Sequence, residues 1–398
     1  MSRTLVAIIG SIRAHNSTFT SFKTNVIDTL NADLCLCVGV DDSYDYNNPF
    51  HKLAKYRFYT PEPNDYATLF DDAFQTECSK HGHYDTLKNK IPNDFLAQVA
   101  PRTTNNYATY LGELSSFNTS NIDTSNGNAI VAISDDAPDQ HLRNQVFSVI
   151  KPHTNLTPYD GSTTFLKRIH WRQFIQIKDQ WLGPIKDKYY KHPGTAGLLI
   201  YYRWALQQKL ISEGLIEQYD RFVITRADYI YNMPLPSTTL MSPEHIWIPD
   251  GEQYHGFTDR FAMLSRDNVI AYTNILTNIV INSHSYFYTL SRWQRANKKR
   301  IGVNLEQTVF LNLALQRKLP SVRYFPYVMY TVREPGGQTT WSHGTFDRNS
   351  GLYIKYESEK NSADHHLKAF KQSGLSLDGY YRRTISRPRF ERLRIPLI

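Results

Sequence analysis

The feature that most constrains the fold is a short run of apolar residues close to the start of the chain, ending in a glycine. Residues 4–9 read TLVAII, and Gly10 follows them. A continuous apolar run of this kind is typical of a parallel strand that is covered on both faces. Apolar side chains at helical spacing then predict a helix over 17–30, and a second apolar run predicts a strand over 34–40. This β-α-β order predicts an α/β fold with a mixed, mostly parallel, Rossmann-like sheet flanked by helices.

A third apolar run, further along the chain, carries charged residues at its end. Residues 219–231 read YDRFVITRADYIY, and the β-prone residues 222–225 predict a buried strand. Arg226 and Asp228 follow it directly, and alternate residues of an extended chain can face one ligand together. Ligands of open α/β sheets bind where strands end, and an arginine beside a carboxylate suits a phosphate, a sugar hydroxyl or a metal–phosphate pair. A structural Arg–Asp ion pair that closes the sheet is the alternative interpretation.

The composition excludes several classes of protein. A hydrophobic content of 41% and an aromatic content of 13% exclude a disordered chain. No helix-turn-helix, zinc-finger or RNP pattern accompanies the net charge of +8, so we expect no nucleic-acid partner. No run approaches the ~20 apolar residues that a membrane-spanning helix needs. Three cysteines without a secretory signal indicate a reducing, cytoplasmic compartment.

The sequence predicts one main domain over residues 1–345. Within it, residues 43–128 are rich in Asn, Asp, Thr, Tyr and Pro and are interpreted as a variable insertion. Residues 346–398 are predicted to be a basic C-terminal extension, which is either a solvated tail or a peripheral contact with an anionic membrane or polymer. Further elements are predicted as a strand over 129–133, a helix over 140–150, amphipathic segments over 163–179 and 196–218, helices over 267–282 and 303–318, and a strand over 322–332.

Three short motifs, in this order and spacing, resemble a known family. They are Tyr219-Asp220, Arg226-Ala-Asp228 and the segment from Gly256 to Phe261, which reads GFTDRF. Together with the β-α-β start, they are similar to the GT-A fold of nucleotide-sugar-dependent glycosyltransferases. The resemblance is closest to poorly characterised bacterial and viral polysaccharide transferases, with an R-x-D sequence in place of D-x-D. It implies a GT-A-like domain that transfers a sugar from a nucleotide-sugar donor to a glycan hydroxyl, with inversion of configuration.

The resemblance also implies a donor site. The turn with Gly10, Ser11 and Arg13 resembles the part that receives the nucleotide, since backbone N–H groups there can bind a base or phosphates. An ordinary strand exit has the same composition. Asp41, at the end of the second predicted strand, could hold the base or the ribose, although a turn-forming residue would look the same.

The resemblance further implies a divalent cation, Mn²⁺ or Mg²⁺, bound to the diphosphate of the donor. Asp228 matches the last carboxylate of D-x-D, and His343 matches a late histidine ligand. Hard cations bind several oxygen ligands, and one carboxylate supplies few of them. The alternative is that Arg226, which replaces the first aspartate, offsets the diphosphate charge itself.

The acceptor side is predicted over residues 250–260. An inverting transferase needs a carboxylate that takes the proton of the acceptor hydroxyl. Asp259 and Glu306 both match family positions for this base, although Glu306 in the first turn of a helix is also favourable through capping and the helix dipole. The alternatives to a transferase are a non-catalytic protein that binds carbohydrate or polyanions on the same scaffold, and a nucleotidyltransferase.

Overall fold

The computed structural model describes residues 2–63, 66–80, 197–281, 305–337 and 343–388, together with Tyr286, Leu290 and Trp293. The strand predicted over 129–133, the helix over 140–150 and the segment over 163–179 lie outside the described residues. The chain divides into two compact units. The first unit consists of Met1–Glu62, Leu198–Ile275 and Asn304–Leu393, and the second of Pro63–Gly197, Leu276–Val303 and Arg394–Ile398.

The described strands all lie in the first unit. They are β1 (Thr4–Gly10), β2 (Ala32–Val40), β3 (Tyr56–Pro61), β4 (Arg221–Thr225), β5 (Tyr229–Tyr231), β6 (Ile246–Asp250), β7 (Ala262–Ser265), β8 (Val322–Pro326), β9 (Met329–Arg333), β10 (Thr345–Asp347) and β11 (Leu352–Ile354).

The described helices are numbered in chain order. They are α1 (His15–Phe22), α2 (Pro49–Leu53), α3 (Ala67–Lys80), α4 (Leu198–Ser212), α5 (Leu215–Gln218), α6 (Arg266–Thr273), α7 (Leu276–Ile281), α8 (Leu305–Leu315), α9 (Glu357–Ser373) and α10 (Leu377–Thr384). A π-helical stretch, Lys23–Asp28, continues α1, and a short 3₁₀ turn, Leu319–Ser321, precedes β8.

The main sheet confirms the predicted α/β class. Among the described residues it has seven strands in the order β3-β2-β1-β4-β7-β6-β8. Strands β1, β2, β3 and β4 pair in parallel, β6 pairs with β8 in parallel, and β7 is antiparallel to both of its neighbours. Every residue of β1 and β4 is buried, which explains why their sequences are continuous apolar runs rather than alternating ones.

A second sheet forms beside the end of β4. Its described strands pair antiparallel in the order β10-β11-β9-β5. The predicted strand over 322–332 is therefore two strands, β8 in the main sheet and β9 in the second. Pro326 ends β8, because a proline cannot donate a backbone hydrogen bond to a neighbouring strand.

The second sheet is completed by residues that the sequence analysis placed in a C-terminal extension. β10, β11, α9 and α10 all belong to the first unit, and Ala363 of α9 is fully buried in a core cluster with Val332 and Ile354. Likewise β3 pairs with β2, so the first unit continues to Glu62 instead of stopping at residue 43. The predicted boundaries at 43 and 346 therefore differ from those of the compact units.

The other differences are local. The helix predicted over 267–282 is two helices, α6 and α7, which fall in different units. Within the second unit, the Thr277 hydroxyl of α7 donates to the buried carboxylate of Glu77 on α3, at 3.1 Å. Cys35 and Cys37 are buried in β2, where they pack as small core residues. No helix in the described part of the chain is both long enough and apolar enough to cross a membrane.

Candidate functional site

The candidate site lies at the carboxyl ends of β1 and β4. These two strands are parallel neighbours, and Ile8 pairs in register with Thr225. From β1 the strand order runs to β2 and β3 on one side and to β4 on the other. In open α/β sheets this reversal point is where ligands bind, outside the carboxyl ends of the strands. The turn with Arg226 and Asp228 begins here, directly after Thr225.

Asp228 is a buried carboxylate held by two arginines. Its side chain is about 2% exposed. Arg226 donates from Nε to Oδ1 at 2.9 Å and from Nη2 to Oδ2 at 2.7 Å, and Arg333 Nη1 also donates to Oδ2. Burial alone raises the pKa of this carboxyl, but the two guanidinium groups outweigh it and hold the pKa of Asp228 well below its usual range. Asp228 is therefore ionised and fully engaged at neutral pH.

The turn that carries this pair is fixed from both sides. The hydroxyl of Thr18, in α1, donates to the carbonyl oxygen of Ala227 at 2.7 Å. The backbone N–H of Val332 donates to the carbonyl oxygen of Asp228 at 2.9 Å. Helix α1 and strand β9 thus hold the Arg226–Asp228 turn in place, so the position of the two charges is set by the fold.

The surroundings of Asp228 do not fit a divalent cation. Both of its oxygens accept hydrogen bonds from arginine, and Lys355 adds a third positive charge close by. His343 is exposed and precedes β10, which β9 and β11 separate from β5 in the second sheet. Among the described residues, no three or more His, Cys, Asp and Glu side chains group as metal ligands. The implied Asp228–His343 metal pair is not what these residues form.

The site instead carries an excess of positive charge. We call Arg226, Arg333 and Lys355, around the single carboxylate of Asp228, the cationic cluster. Burial first, and then Arg226, Arg333 and Arg260, lower the pKa of Lys355 to about 7. A lysine loses its proton this readily only where positive charge is crowded and water is scarce.

Arg333 has donors left over. Its side chain is about 1% exposed, and its Nε and Nη2 atoms have no hydrogen-bond partner among the described residues. Buried donors are normally satisfied, so a guanidinium with two free nitrogens calls for an acceptor. Arginine presents such donors in a fork that matches phosphate oxygens.

The predicted nucleotide turn lies beside this cluster. Gly10 has a φ of +99°, a conformation that side chains other than glycine rarely adopt. Ala14 packs in the same core cluster as Val332, which precedes Arg333. Arg13 is near enough to Arg333 to contribute to the electrostatic lowering of its pKa, although burial is the larger cause. The structure thus brings Gly10, Arg13, Arg226 and Asp228 to one edge of the sheet, and Ser11 lies in the same turn.

Asp41 lies one strand further along, in an exposed turn. Its Oδ1 accepts hydrogen bonds from the N–H and the hydroxyl of Ser43, which lower the pKa of the carboxyl. An aromatic group follows in the same loop. Tyr46 is 55% exposed, and its ring centroid lies 4.9 Å from that of Tyr44 and 5.6 Å from that of His51. Tyr46 is therefore an exposed ring on a rigid aromatic support.

The two predicted base residues, Asp259 and Glu306, form a carboxyl pair. Both side chains are buried, and they hydrogen-bond to each other. Burial first, and the neighbouring charge of Asp259 second, raise the pKa of Glu306 to about 8. At neutral pH Glu306 therefore keeps its proton and can donate it to Asp259 in the shared hydrogen bond.

The loop that carries Asp259 is fixed against the start of α8. The N–H of Phe257 donates to the carbonyl oxygen of Glu306 at 3.1 Å. A Cβ at Gly256 would lie 2.0 Å from that same oxygen, which no residue other than glycine permits. The preceding residues Glu252, Tyr254 and His255 all have positive φ angles, of 50°, 39° and 69°. Strain of this kind is concentrated at functional loops.

Arg260 links the carboxyl pair to the cationic cluster. Its Nη1 donates to the buried carboxylate of Glu359, and its guanidinium lies 4.3 Å from the ring centroid of Tyr356. Glu359 also accepts from the Thr331 N–H at 2.6 Å and from the Tyr327 hydroxyl at 3.0 Å. The charge of Arg260 acts on Lys355 and on Glu306, so the two groups share one electrostatic environment.

The sequence analysis missed four residues of this site: Arg333, Lys355, Tyr356 and Glu359. Arg333 ends a buried strand, and that position was a usable signal, equal to the one that singled out Arg226. Lys355 lies between β11 and α9, and Glu359 lies in the first turn of α9, where nothing in the local pattern indicates burial. Comparison of the chain with known proteins found no matching family model, no matching curated protein and no matching solved structure.

Proposed function

We propose that the protein is a glycosyltransferase that moves a sugar from a nucleotide-sugar donor to a hydroxyl group of a glycan. The observation that carries this proposal is that the cationic cluster and the Asp259–Glu306 carboxyl pair lie close together. The cationic cluster suits the diphosphate of a donor, and the Asp259–Glu306 pair, joined to the cluster through Arg260, suits proton transfer. A GT-A-like arrangement is part of the same proposal, because the sheet order and its reversal at β1 and β4 are compatible with it.

In the proposed reaction the acceptor hydroxyl attacks the anomeric carbon of the donor sugar. Asp259 takes the hydroxyl proton as the new C–O bond forms, and Glu306 holds Asp259 through the shared hydrogen bond. The bond from the anomeric carbon to the diphosphate breaks at the same time, and the electron pair leaves with the diphosphate. Negative charge therefore grows where Arg226, Arg333 and Lys355 are placed to stabilise it. A single displacement of this kind inverts the configuration.

One observation favours a second candidate, a non-catalytic protein that binds carbohydrate or polyanions. Asp228 is fully engaged by Arg226 and Arg333, as a purely structural ion pair would be. A binding protein needs no proton acceptor, however, and it leaves the carboxyl pair without a role. We therefore place the transferase first.

A screen of the purified protein separates the two. Thermal shifts are measured with UDP-, GDP- and CMP-sugars, followed by nucleotide release in the presence of glycan acceptors and mass spectrometry of the products. We expect stabilisation by one nucleotide class and a glycan that gains one sugar, with Asp259→Asn as the inactive control. Stabilisation by a glycan alone, with no nucleotide-sugar consumed, would reject the transferase in favour of the binding protein.

A further inference from the structure

We infer that the donor diphosphate is bound by the cationic cluster directly, with Arg226, Arg333 and Lys355 in the place that a divalent cation would take. The inference rests on the proposed function for the identity of the anion. It concerns how that anion is recognised, and it departs from the metal site that the R-x-D motif and His343 suggested.

Asp228 is already paired with two arginines through both of its oxygens. Oδ1 accepts from Arg226 Nε at 2.9 Å, and Oδ2 accepts from Arg226 Nη2 at 2.7 Å and from Arg333 Nη1. A cation at Asp228 would have to displace both arginines and would meet their positive charges. A hard divalent cation also needs several oxygen ligands. The described surroundings of Asp228 supply guanidinium and ammonium groups instead.

Arg333 presents a geometry that suits phosphate. Its side chain is about 1% exposed, one nitrogen is used by Asp228, and Nε and Nη2 have no partner in the described part of the chain. The ion pair with Asp228 fixes the plane of the guanidinium. The remaining N–H groups therefore form a preorganised, buried fork. Phosphate oxygens satisfy such a fork, whereas a metal ion cannot.

The charges of the cationic cluster also suit a diphosphate. Among the described residues, Arg226, Arg333 and Lys355 lie around one carboxylate, that of Asp228. The diphosphate of a nucleotide-sugar is a diester that carries two negative charges at neutral pH. A Mg²⁺ or Mn²⁺ ion would instead add two positive charges to the cluster.

The experiment is calorimetric titration of the full chain with UDP and with inorganic pyrophosphate, in EDTA and in Mn²⁺. We expect the dissociation constant in EDTA to match that in Mn²⁺ to within about threefold, because the protein contacts are all direct. Arg333→Gln and Lys355→Met should each weaken binding about tenfold or more, as charge-assisted hydrogen bonds to phosphate do. Arg3→Gln is the matched control, since Arg3 precedes the amino end of β1, opposite Gly10.

Two results would overturn the inference: binding that appears only with Mn²⁺, or binding in EDTA that Arg333→Gln and Lys355→Met leave unchanged. Circular dichroism and melting temperature verify that each variant is folded. If Arg333→Gln does not fold, Lys355→Met decides, since Lys355 is less buried than Arg333. A different result would reject the proposed function. If pyrophosphate binds without metal but no nucleotide-sugar is turned over, the transferase is rejected and the anion site is retained.

Discussion

Arg333 donates a hydrogen bond from Nη1 to Oδ2 of Asp228, although the two residues lie 105 positions apart in the sequence. The contact joins the end of β9 to the turn after β4, and it connects the second sheet to the main one. Arg226 completes the arrangement by binding both oxygens of the same carboxylate. Asp228 therefore holds two arginines in position, as the structural interpretation of the R-x-D motif predicted for Arg226, and Arg333 is the partner that the motif does not show.

Replacing Asp228 by asparagine should destabilise the protein strongly. The change leaves Arg226 and Arg333 buried without their counter-charge, and breaking a buried pair from one side costs about 3–5 kcal/mol. Urea unfolding followed by circular dichroism measures the loss. The matched control is Asp364→Asn, which removes an exposed partner of Lys360 and should cost about 0–1 kcal/mol. Equal losses in the two variants would contradict the role of Asp228.

Replacing Asp259 by asparagine should lower kcat of sugar transfer by roughly 10²–10⁴-fold, the usual contribution of a general base. Glu306→Gln should lower kcat by less than about tenfold, because a neutral amide imitates the protonated carboxyl that Glu306 presents at neutral pH. Steady-state kinetics of both variants at pH 7 test this difference. A larger loss in Glu306→Gln than in Asp259→Asn would reverse the assignment of the base.

Glu306 should also make the stability of the protein depend on pH. Burial and Asp259 raise its folded-state pKa to about 8, compared with 4.5 for the free side chain. The folded protein then binds this proton more tightly than the unfolded chain does. The resulting stabilisation is complete below about pH 4.5 and is lost as the pH rises to about 8.

The measurement is urea unfolding of the wild type and of Glu306→Gln at several pH values between about 5 and 8. Because glutamine does not titrate, the free energy of unfolding of the wild type should fall relative to that of the variant across this window. Parallel curves for the two proteins would show that Glu306 is ionised in the folded state throughout.

Tyr46 should contribute to nucleotide affinity. Its exposed ring, supported by Tyr44 and His51, lies in the loop after β2, next to the strand that ends at Gly10. Stacking of a base on an aromatic ring contributes about 1–3 kcal/mol, so Tyr46→Ala should weaken UDP binding by roughly 5–150-fold. Phe346→Ala, at a ring that is 46% exposed on β10, is the control and should leave the affinity unchanged. Equal affinities of wild type and Tyr46→Ala would remove Tyr46 from the site.

Replacing Gly256 by alanine should disrupt the carboxyl pair. The added Cβ would lie 2.0 Å from the carbonyl oxygen of Glu306, so the loop with Asp259 must move away from α8. We expect kcat to fall with Asp259 and Glu306 both still present, together with a lower melting temperature. Gly379→Ala in α10 is the control, because its Cβ would lie 3.2 Å from the Ser376 hydroxyl and at ordinary contact distances, 3.6 Å and 4.0 Å, from the Leu375 side chain.

The sequence predicted the parts of the fold that local patterns specify. Strands β1, β2 and β4 each contain a continuous apolar run because both of their faces are covered, and the charged residues after β4 were correctly placed at a strand end. The split of residues 322–332 at Pro326 was missed, because an apolar run does not show which sheet it joins. Lys355 and Glu359 were missed because their burial depends on pairing between β9 and β11, which only the three-dimensional arrangement provides.

The position of Glu359 on α9 has a consequence for the newly made chain. Strands β1 and β4 and the Arg226–Asp228 turn leave the ribosome early, but Lys355, Tyr356 and Glu359 follow more than a hundred residues later. Until they arrive, Arg260 lacks Glu359, the nearest of its three carboxylate partners, and the second sheet lacks β11. A nascent chain therefore cannot complete the cationic cluster before nearly all of the first unit has been synthesised.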